Sequence, residues 1–136
     1  MLARTGGVRA RASATLVETG LLGRSVPLAG TAGLTLTAEE QYSVDDTGGA
    51  GSDRWLATLR GYRHQFYSGG AEVILFHWHP IGLSRITEPH LHVGEGRLRG
   101  LHVPSGEIGL GRIIEFAIRE LRAVPTRDDW ESLISV

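Results

Sequence analysis

The stretch from Trp55 to His79 constrains the fold more than any other part of this 136-residue chain. It contains two runs rich in aromatic and β-favouring residues, WLATLRGYRHQFY (55–67) and AEVILFHWH (71–79), separated by a Ser-Gly-Gly turn. Such runs favour strands, and a short glycine-containing turn between them is typical of a β-hairpin. The sequence therefore predicts two adjacent antiparallel strands here.

Shorter segments on both sides extend this hairpin into a larger sheet. The segments that we interpret as further strands are LTLTAEEQYSV (34–44), HLHV (90–93) and RLRGLHV (97–103). The connection VDDTGGAGSD (44–53) is dense in turn-forming residues, so it separates the first strand from the hairpin. Together these segments predict an antiparallel β-meander of about four or five strands.

The end of the chain has a different periodicity. In LGRIIEFAIRELRA (110–123) the apolar residues fall at helical spacing on one stripe, which predicts an amphipathic helix over 110–121 packed on the sheet. Pro125 ends that helix, and a short C-terminal helix carries Trp130. Strands first and helices last are typical of an α+β fold.

Composition excludes several classes of protein. A net charge of −1 and 41% hydrophobic residues favour a globular domain over a disordered chain or a general nucleic-acid binder. The absence of cysteine excludes disulfides, thiolate zinc sites and a cysteine nucleophile. No apolar run approaches ~20 residues, and the first 30 residues lack a signal-peptide core. We expect a cytoplasmic protein without a membrane partner, with a poorly structured segment over 1–30 and one α+β domain over 31–136.

Four of the six histidines lie in HWHPIGLSRITEPHLHV (77–93), as two His-x-His pairs. Alternate residues of a strand share a face, so both members of each pair point away from their apolar neighbours. A symmetric hairpin pairs His77 with His92 and His79 with His90, and the next strand adds His102 to the same side. The sequence thus predicts five imidazoles on one surface.

Three interpretations of this cluster remain open. In the first, imidazoles act as base and acid on a phosphodiester, because histidine titrates near neutral pH. The catalytic groups are then His77, His79, His90 and His92, and the substrate-binding groups are His102, Arg85, Arg97 and Arg99. In the second, the same four histidines hold a divalent transition metal such as Zn²⁺, and Glu88 or Glu95 adds a carboxylate. In the third, the histidines are half-buried structural residues.

The segment from about 72 to 134, slightly under half of the chain, resembles small bacterial proteins associated with toxin–antitoxin loci. The residues that carry the likeness are FHWHP (76–80), EPHLHV (88–93), HVPSGEI (102–108), the apolar helix 110–121 and DDW (128–130). The resemblance is to the TumE-type family and to an uncharacterised family with a short Pro-His-x-His core. It implies a bacterial protein encoded beside a partner and acting on RNA.

The leading hypothesis from the sequence is a metal-free toxin–antitoxin-type protein that cleaves or binds RNA. Its expected partners are a cognate antitoxin or another partner protein and RNA, and a homodimer is left open. The spacing of His77 and His79 differs from that of the usual TumE-type histidines, and the first 50 residues match neither set. The alternatives are a histidine-liganded metal-binding domain and a non-enzymatic interaction module whose sheet edge pairs with a partner chain.

Overall fold

The computed structural model describes residues 17–20, 24–82 and 84–134, with the side chains of 17–20, 52 and 53 excepted. The strands are β1 (Val17–Gly20), β2 (Val26–Pro27), β3 (Leu34–Asp46), β4 (Trp55–Ser68), β5 (Ala71–Trp78), β6 (His90–Val93) and β7 (Val103–Pro104), and the helices are α1 (Leu110–Arg119) and α2 (Trp130–Ile134). Short 3-10 helices lie at Gly51–Arg54 and Gly96–Leu98. The predicted α+β class is confirmed.

All of these strands belong to one antiparallel sheet. Its order is β1-β3-β4-β5-β6-β7, and β2 pairs with β3 beside β1. The long strands β3 and β4 pair along their whole length, apart from one bulge between Gln41 and Tyr42. No helix among the described residues is long and apolar enough to cross a membrane.

The expectation of four or five strands is wrong, because the described residues contain seven. The two additional strands, β1 and β2, are short and lie where the sequence is rich in small residues and shows no clear alternation. Both fall within the segment 1–30 that we expected to be poorly structured. Residues 1–16 and 21–23 of that segment lie outside the described residues, so the division of the chain at residue 30 stays a prediction.

The segment 97–103 is not the strand that its sequence suggested. Gly96–Leu98 form a 3-10 helix, and only Val103–Pro104 pair with β6. Gly96 and Gly100 adopt left-handed φ values of 79° and 76°. A left-handed residue breaks the extended path of a strand, so this pair of glycines turns the chain twice before β7 begins.

One face of the central sheet packs against α1. The buried core consists of Leu36, Ala38, Tyr62, Phe66, Phe76, Ile113, Ala117 and Ala123. The ring of Phe116 meets the rings of Phe66 and Phe76 edge-on, with centroids 5.7 Å apart in both contacts. Such pairs contribute about 0.5–1.5 kcal/mol each beyond the area that they bury. The residues that alternate with Phe66 and Phe76 must therefore face the other side of the sheet.

A buried carboxylate joins the start of α1 to β3. Glu40 is 4% exposed, and it accepts hydrogen bonds from the backbone amide of Leu110 and, at 2.6 Å, from the hydroxyl of Tyr42. The first amides of a helix have no intrahelical partner, and the helix dipole favours a negative charge there. The Nε2 of the fully buried His64 lies 3.2 Å from the carbonyl of Ile108, to which it donates. Burial lowers the pKa of His64, which favours its neutral form.

We predict that Gly94→Ala destabilises the fold. Gly94 donates its amide to the carbonyl of Val73 at 2.9 Å, and a Cβ on Gly94 would overlap the carbonyl oxygen of Glu72. Relief of such an overlap requires a backbone shift that costs about 1–3 kcal/mol. Urea denaturation should show the loss. Gly106→Ala is the matched control, because a Cβ there meets nothing within 4 Å, and equal stability of the two variants would contradict the prediction.

Candidate functional site

The structure brings five histidines together on the face of the sheet opposite α1. Alternation within β5 and β6 places His77, His90 and His92 there, whereas His79 and His102 lie outside the strands. The ring centroids lie 4.2 Å apart for His77 and His79, 5.2 Å for His77 and His90, 5.0 Å for His90 and His92, and 4.4 Å for His92 and His102. The sixth histidine faces the core instead. We call the five rings the histidine cluster.

The predicted pairing within the cluster is wrong. His77 lies opposite His90, and His92 lies opposite Leu75, while His79 follows the end of β5. A shift of two residues keeps every side chain on the same face, so the alternation alone cannot distinguish the two registers. The observed register brings Gly94 against the backbone of Glu72, an approach that only glycine permits.

The loop between β5 and β6 is held on the core side of the sheet. The indole nitrogen of Trp78 donates to the carbonyl of Thr87 at 3.1 Å, across the connection that begins at His79. This bond fixes the return of the chain into β6. The loop therefore positions the second His-x-His pair beside the first.

His90 lies at the centre of the cluster and is oriented by the backbone. It is 3% exposed, and its Nδ1 lies 2.7 Å from the carbonyl of Glu88. Because a carbonyl only accepts hydrogen bonds, Nδ1 carries the proton and the Nε2 of the neutral ring keeps its lone pair. In metal-binding histidines, a hydrogen bond of this kind at the ring nitrogen that does not hold the metal commonly fixes the tautomer.

Two neighbouring rings carry buried nitrogens without a partner. Nδ1 of His77 and Nε2 of His92 are buried and form no hydrogen bond with the described groups. His77, His90 and His92 each offer a ligand nitrogen, and these atoms lie within 4.8 Å of one another. Ligand nitrogens around a tetrahedral zinc ion lie roughly 3.4 Å apart. The widest of these separations therefore has to shorten by up to about 1.4 Å for the three nitrogens to close around one ion.

Burial and repulsion between neighbouring rings lower the pKa of two members of the cluster. Burial, followed by repulsion from His79, His90, His92 and Arg63, lowers the pKa of His77 to about 4. Burial also lowers the pKa of His92, and repulsion from His102 and His90 adds to this effect. Both rings are therefore neutral at pH 7, which is the form that binds metals and accepts protons.

The predicted substrate-binding arginines are exposed, and only one of the three lines a depression beside the cluster. Arg99 lines a depression of about 650 Å³ together with His92 and Glu95. Arg85 and Arg97 do not line it. The role of all three arginines in substrate binding therefore stays a prediction.

The carboxylates of Glu88 and Glu95, which were proposed as metal ligands, do not belong to the group of three ligand nitrogens. The group of potential ligands among the described residues contains histidines alone. Glu88 acts on the cluster through its backbone carbonyl, which orients His90, and its side chain is exposed. Glu95 is an exposed residue of the neighbouring depression.

Sequence reasoning missed Arg63, which lies directly opposite His77 in the pairing of β4 with β5. A signal for it was present in YRHQFY (62–67), because alternation separates Arg63 and Gln65 from the core residues Tyr62, His64 and Phe66. The side chain of Gln65 is buried and donates to the carboxylate of Glu72, on the histidine side of the sheet.

Comparisons with protein-family models, with curated proteins and with solved structures found no match to this chain. The resemblance to toxin–antitoxin-associated proteins therefore stays a prediction. The functional argument depends on the geometry of the histidine cluster.

We predict that the metal-free protein loses stability as the pH falls from about 6.5 to about 4. The folded state lowers the pKa of His77 from 6.5 to about 4, so the unfolded chain takes up its proton first. The contribution to stability is complete above the unfolded pKa and is lost as the pH falls through this window. Urea denaturation at a series of pH values measures the effect.

His77→Asn should reduce this dependence on pH, because it removes the titrating ring. The exposed His102→Asn is the control and should keep most of the dependence. A wild-type protein with constant stability across the window would show that the folded and unfolded states bind the same number of protons there.

Proposed function

We propose that this protein binds a divalent transition metal ion, with Zn²⁺ as the leading example, through His77, His90 and His92. One observation carries the proposal, namely the three ligand nitrogens within 4.8 Å of one another. Imidazole nitrogens suit zinc, copper, iron and nickel, whereas magnesium and calcium prefer oxygen ligands.

The hydrogen bonds of the cluster support a metal site over a purely structural one. Most buried ring nitrogens of structural histidines are satisfied by neighbouring groups, and one without a partner costs about 1–3 kcal/mol. The core residue His64 leaves one such nitrogen, whereas the cluster leaves two on neighbouring rings. Here His77 and His92 each leave a buried nitrogen without a partner, while His90 has Nδ1 bonded to a carbonyl and Nε2 available. A bound cation satisfies all three rings at once.

Three protein ligands indicate a centre that can act on a substrate. Structural zinc sites use four protein ligands, whereas catalytic sites use three and keep one position for water or substrate. A metal ion in such a site lowers the pKa of a bound water and polarises carbonyl or phosphoryl oxygens. His79 and His102 flank the three ligands and provide groups that can exchange protons with a bound water or substrate.

We predict that tag-free protein binds about one equivalent of Zn²⁺. His90→Asn removes the central ligand, so its affinity should fall by more than the roughly 10–100-fold typical of losing an outer-shell partner. Isothermal titration calorimetry and elemental analysis measure the affinity and the stoichiometry. Circular dichroism establishes that the variant is folded, and His77→Asn provides a second test at a less buried ligand.

His102→Asn is the matched control, because His102 lies in the cluster but outside the three-ligand group. It should keep one bound ion. Wild-type protein that binds no transition metal would overturn the proposed function. Equal affinities of the folded His90→Asn and His102→Asn variants would overturn the ligand assignment.

Action on RNA is the second candidate function, and the shared depression of Arg99 and His92 favours it. An arginine can hold a phosphate in a bidentate manner beside an imidazole. The lowered pKa of His77 keeps its ring neutral at pH 7, so the proton donor in a metal-free mechanism must be another group. The cognate antitoxin, the homodimer and the cytoplasmic location stay predictions.

Chelation separates the two candidate functions. A metal-free ribonuclease keeps its activity on labelled RNA after treatment with a chelator, and it loses that activity in Arg99→Gln. A metal-dependent enzyme loses its activity with the chelator and regains it with Zn²⁺. RNA that is neither bound nor cleaved by either form of the protein would exclude the second candidate.

A further inference from the structure

The face of the sheet that carries the histidine cluster continues onto β3 and β4 as a polar depression. It has a volume of about 430 Å³, and its walls include Thr35, Thr37, Glu39, Arg63 and Tyr67. Small-molecule sites in proteins typically have volumes of about 300–1,000 Å³. The depression therefore has the size of a site for a small ligand rather than for a folded polymer.

Arg63 connects this depression to the histidine cluster. The pairing of the strands places Glu39, Arg63, His77 and His90 in one row across β3, β4, β5 and β6. Neighbouring members of such a row lie about 5 Å apart. A ligand bound at Arg63 is therefore one strand away from the ligand nitrogen of His77.

The guanidinium of Arg63 is free to bind a ligand. Within the described parts of the chain it forms no ion pair, although Glu39 lies opposite it in the neighbouring strand. The arginines that do form ion pairs are Arg54, Arg112, Arg119 and Arg127. A guanidinium presents paired N–H groups whose geometry matches the two oxygens of a carboxylate or phosphate.

The hydroxyl groups around Arg63 are also available. Among the described residues, the hydroxyls of Thr35, Thr37 and Tyr67 form no hydrogen bond, although all three residues are half-buried. The tyrosine hydroxyls on the core side are bonded, since Tyr42 donates to Glu40 and Tyr62 accepts from the amide of Ile108. Free polar groups that converge on a concave surface are typical of a binding site.

We infer that the depression binds the oxyanion of a small molecule, a carboxylate or a phosphate, against Arg63, and directs the remainder of that molecule toward His77. The role of this depression as a substrate site rests on the proposed metal centre. The binding of the oxyanion itself is measurable without metal, so the two proposals can fail separately. The free hydroxyls of Thr35, Thr37 and Tyr67 add neutral donors, and Glu39 disfavours ligands with a large excess of negative charge.

The experiment titrates chelator-treated protein with inorganic phosphate and, separately, with succinate, at constant ionic strength. Isothermal titration calorimetry gives the affinities, and the two probes distinguish a phosphate site from a carboxylate site. Arg63→Gln should weaken binding of the preferred anion by about tenfold or more, as expected for the loss of a charge-assisted hydrogen bond. Arg122→Gln is the control, because Arg122 is exposed outside the depression, beyond the end of α1, and it should bind as the wild type does.

The content of bound Zn²⁺ is measured on the same variants. Arg63→Gln should keep the wild-type amount of zinc, because Arg63 is not a metal ligand, and this result together with weakened anion binding supports the inference. Wild-type protein that binds neither anion, or Arg63→Gln that binds the anion as tightly as the wild type does, would overturn it. Anion binding at Arg63 in a protein that takes up no metal would support the anion site and overturn the metal centre instead. Binding of RNA in place of both small anions would assign the arginine to a polymer and overturn the inference.

Discussion

The packing of Phe66 and Phe76 against Phe116 determines where the other groups of the central strands lie. These ring contacts place one face of β4 and β5 against α1. Because successive side chains of a strand point to opposite faces, Arg63 and His77 are then confined to the other face. The polar surface is thus a consequence of the apolar one.

In the histidine cluster, His90 is held in one orientation and its neighbours His77 and His92 are neutral at pH 7. His90 is held by the carbonyl of Glu88 and surrounded by the other imidazoles, so its ring cannot turn freely. Protonation of one ring disfavours protonation of its neighbours, and burial acts in the same direction. His77 and His92 therefore present neutral lone pairs at pH 7, and imidazole nitrogens suit transition metals better than hard cations.

The two faces of the sheet treat buried polar groups differently. On the core side, the carboxylate of Glu40 is satisfied by Tyr42 and by the first amide of α1, so it contributes to the stability of the fold. Among the described residues, nitrogens of His77 and His92 and the hydroxyl of Thr37 on the histidine side lack such partners, and on the core side so does Nδ1 of His64. His64 is fully buried in the core, whereas the rings of His77 and His92 are partly exposed and adjoin one another, so the functional argument belongs to the histidine side.

Much of the fold followed from periodicity. The hairpin of β4 and β5, the helix α1 and the common face of His77, His90 and His92 all depend on local alternation or helical spacing, which a sequence displays directly. His79 and His102 lie outside the strands, so alternation alone does not place them. The strands β1 and β2 have only four and two residues, too few for a recognisable period. The segment 97–103 has the composition of a strand, but the left-handed backbone of Gly96 and Gly100 interrupts it.

The sequence by itself determined which side chains share a face of the sheet, because the pleat has a period of two residues wherever a strand forms. Only the tertiary structure decided which residues lie opposite one another, because a register shifted by two preserves every face. The close approach of Gly94 to the backbone of Glu72 accompanies the observed register, in which His77 meets His90. The same long-range pairing places Arg63 beside His77, a contact between strands that no local pattern specifies.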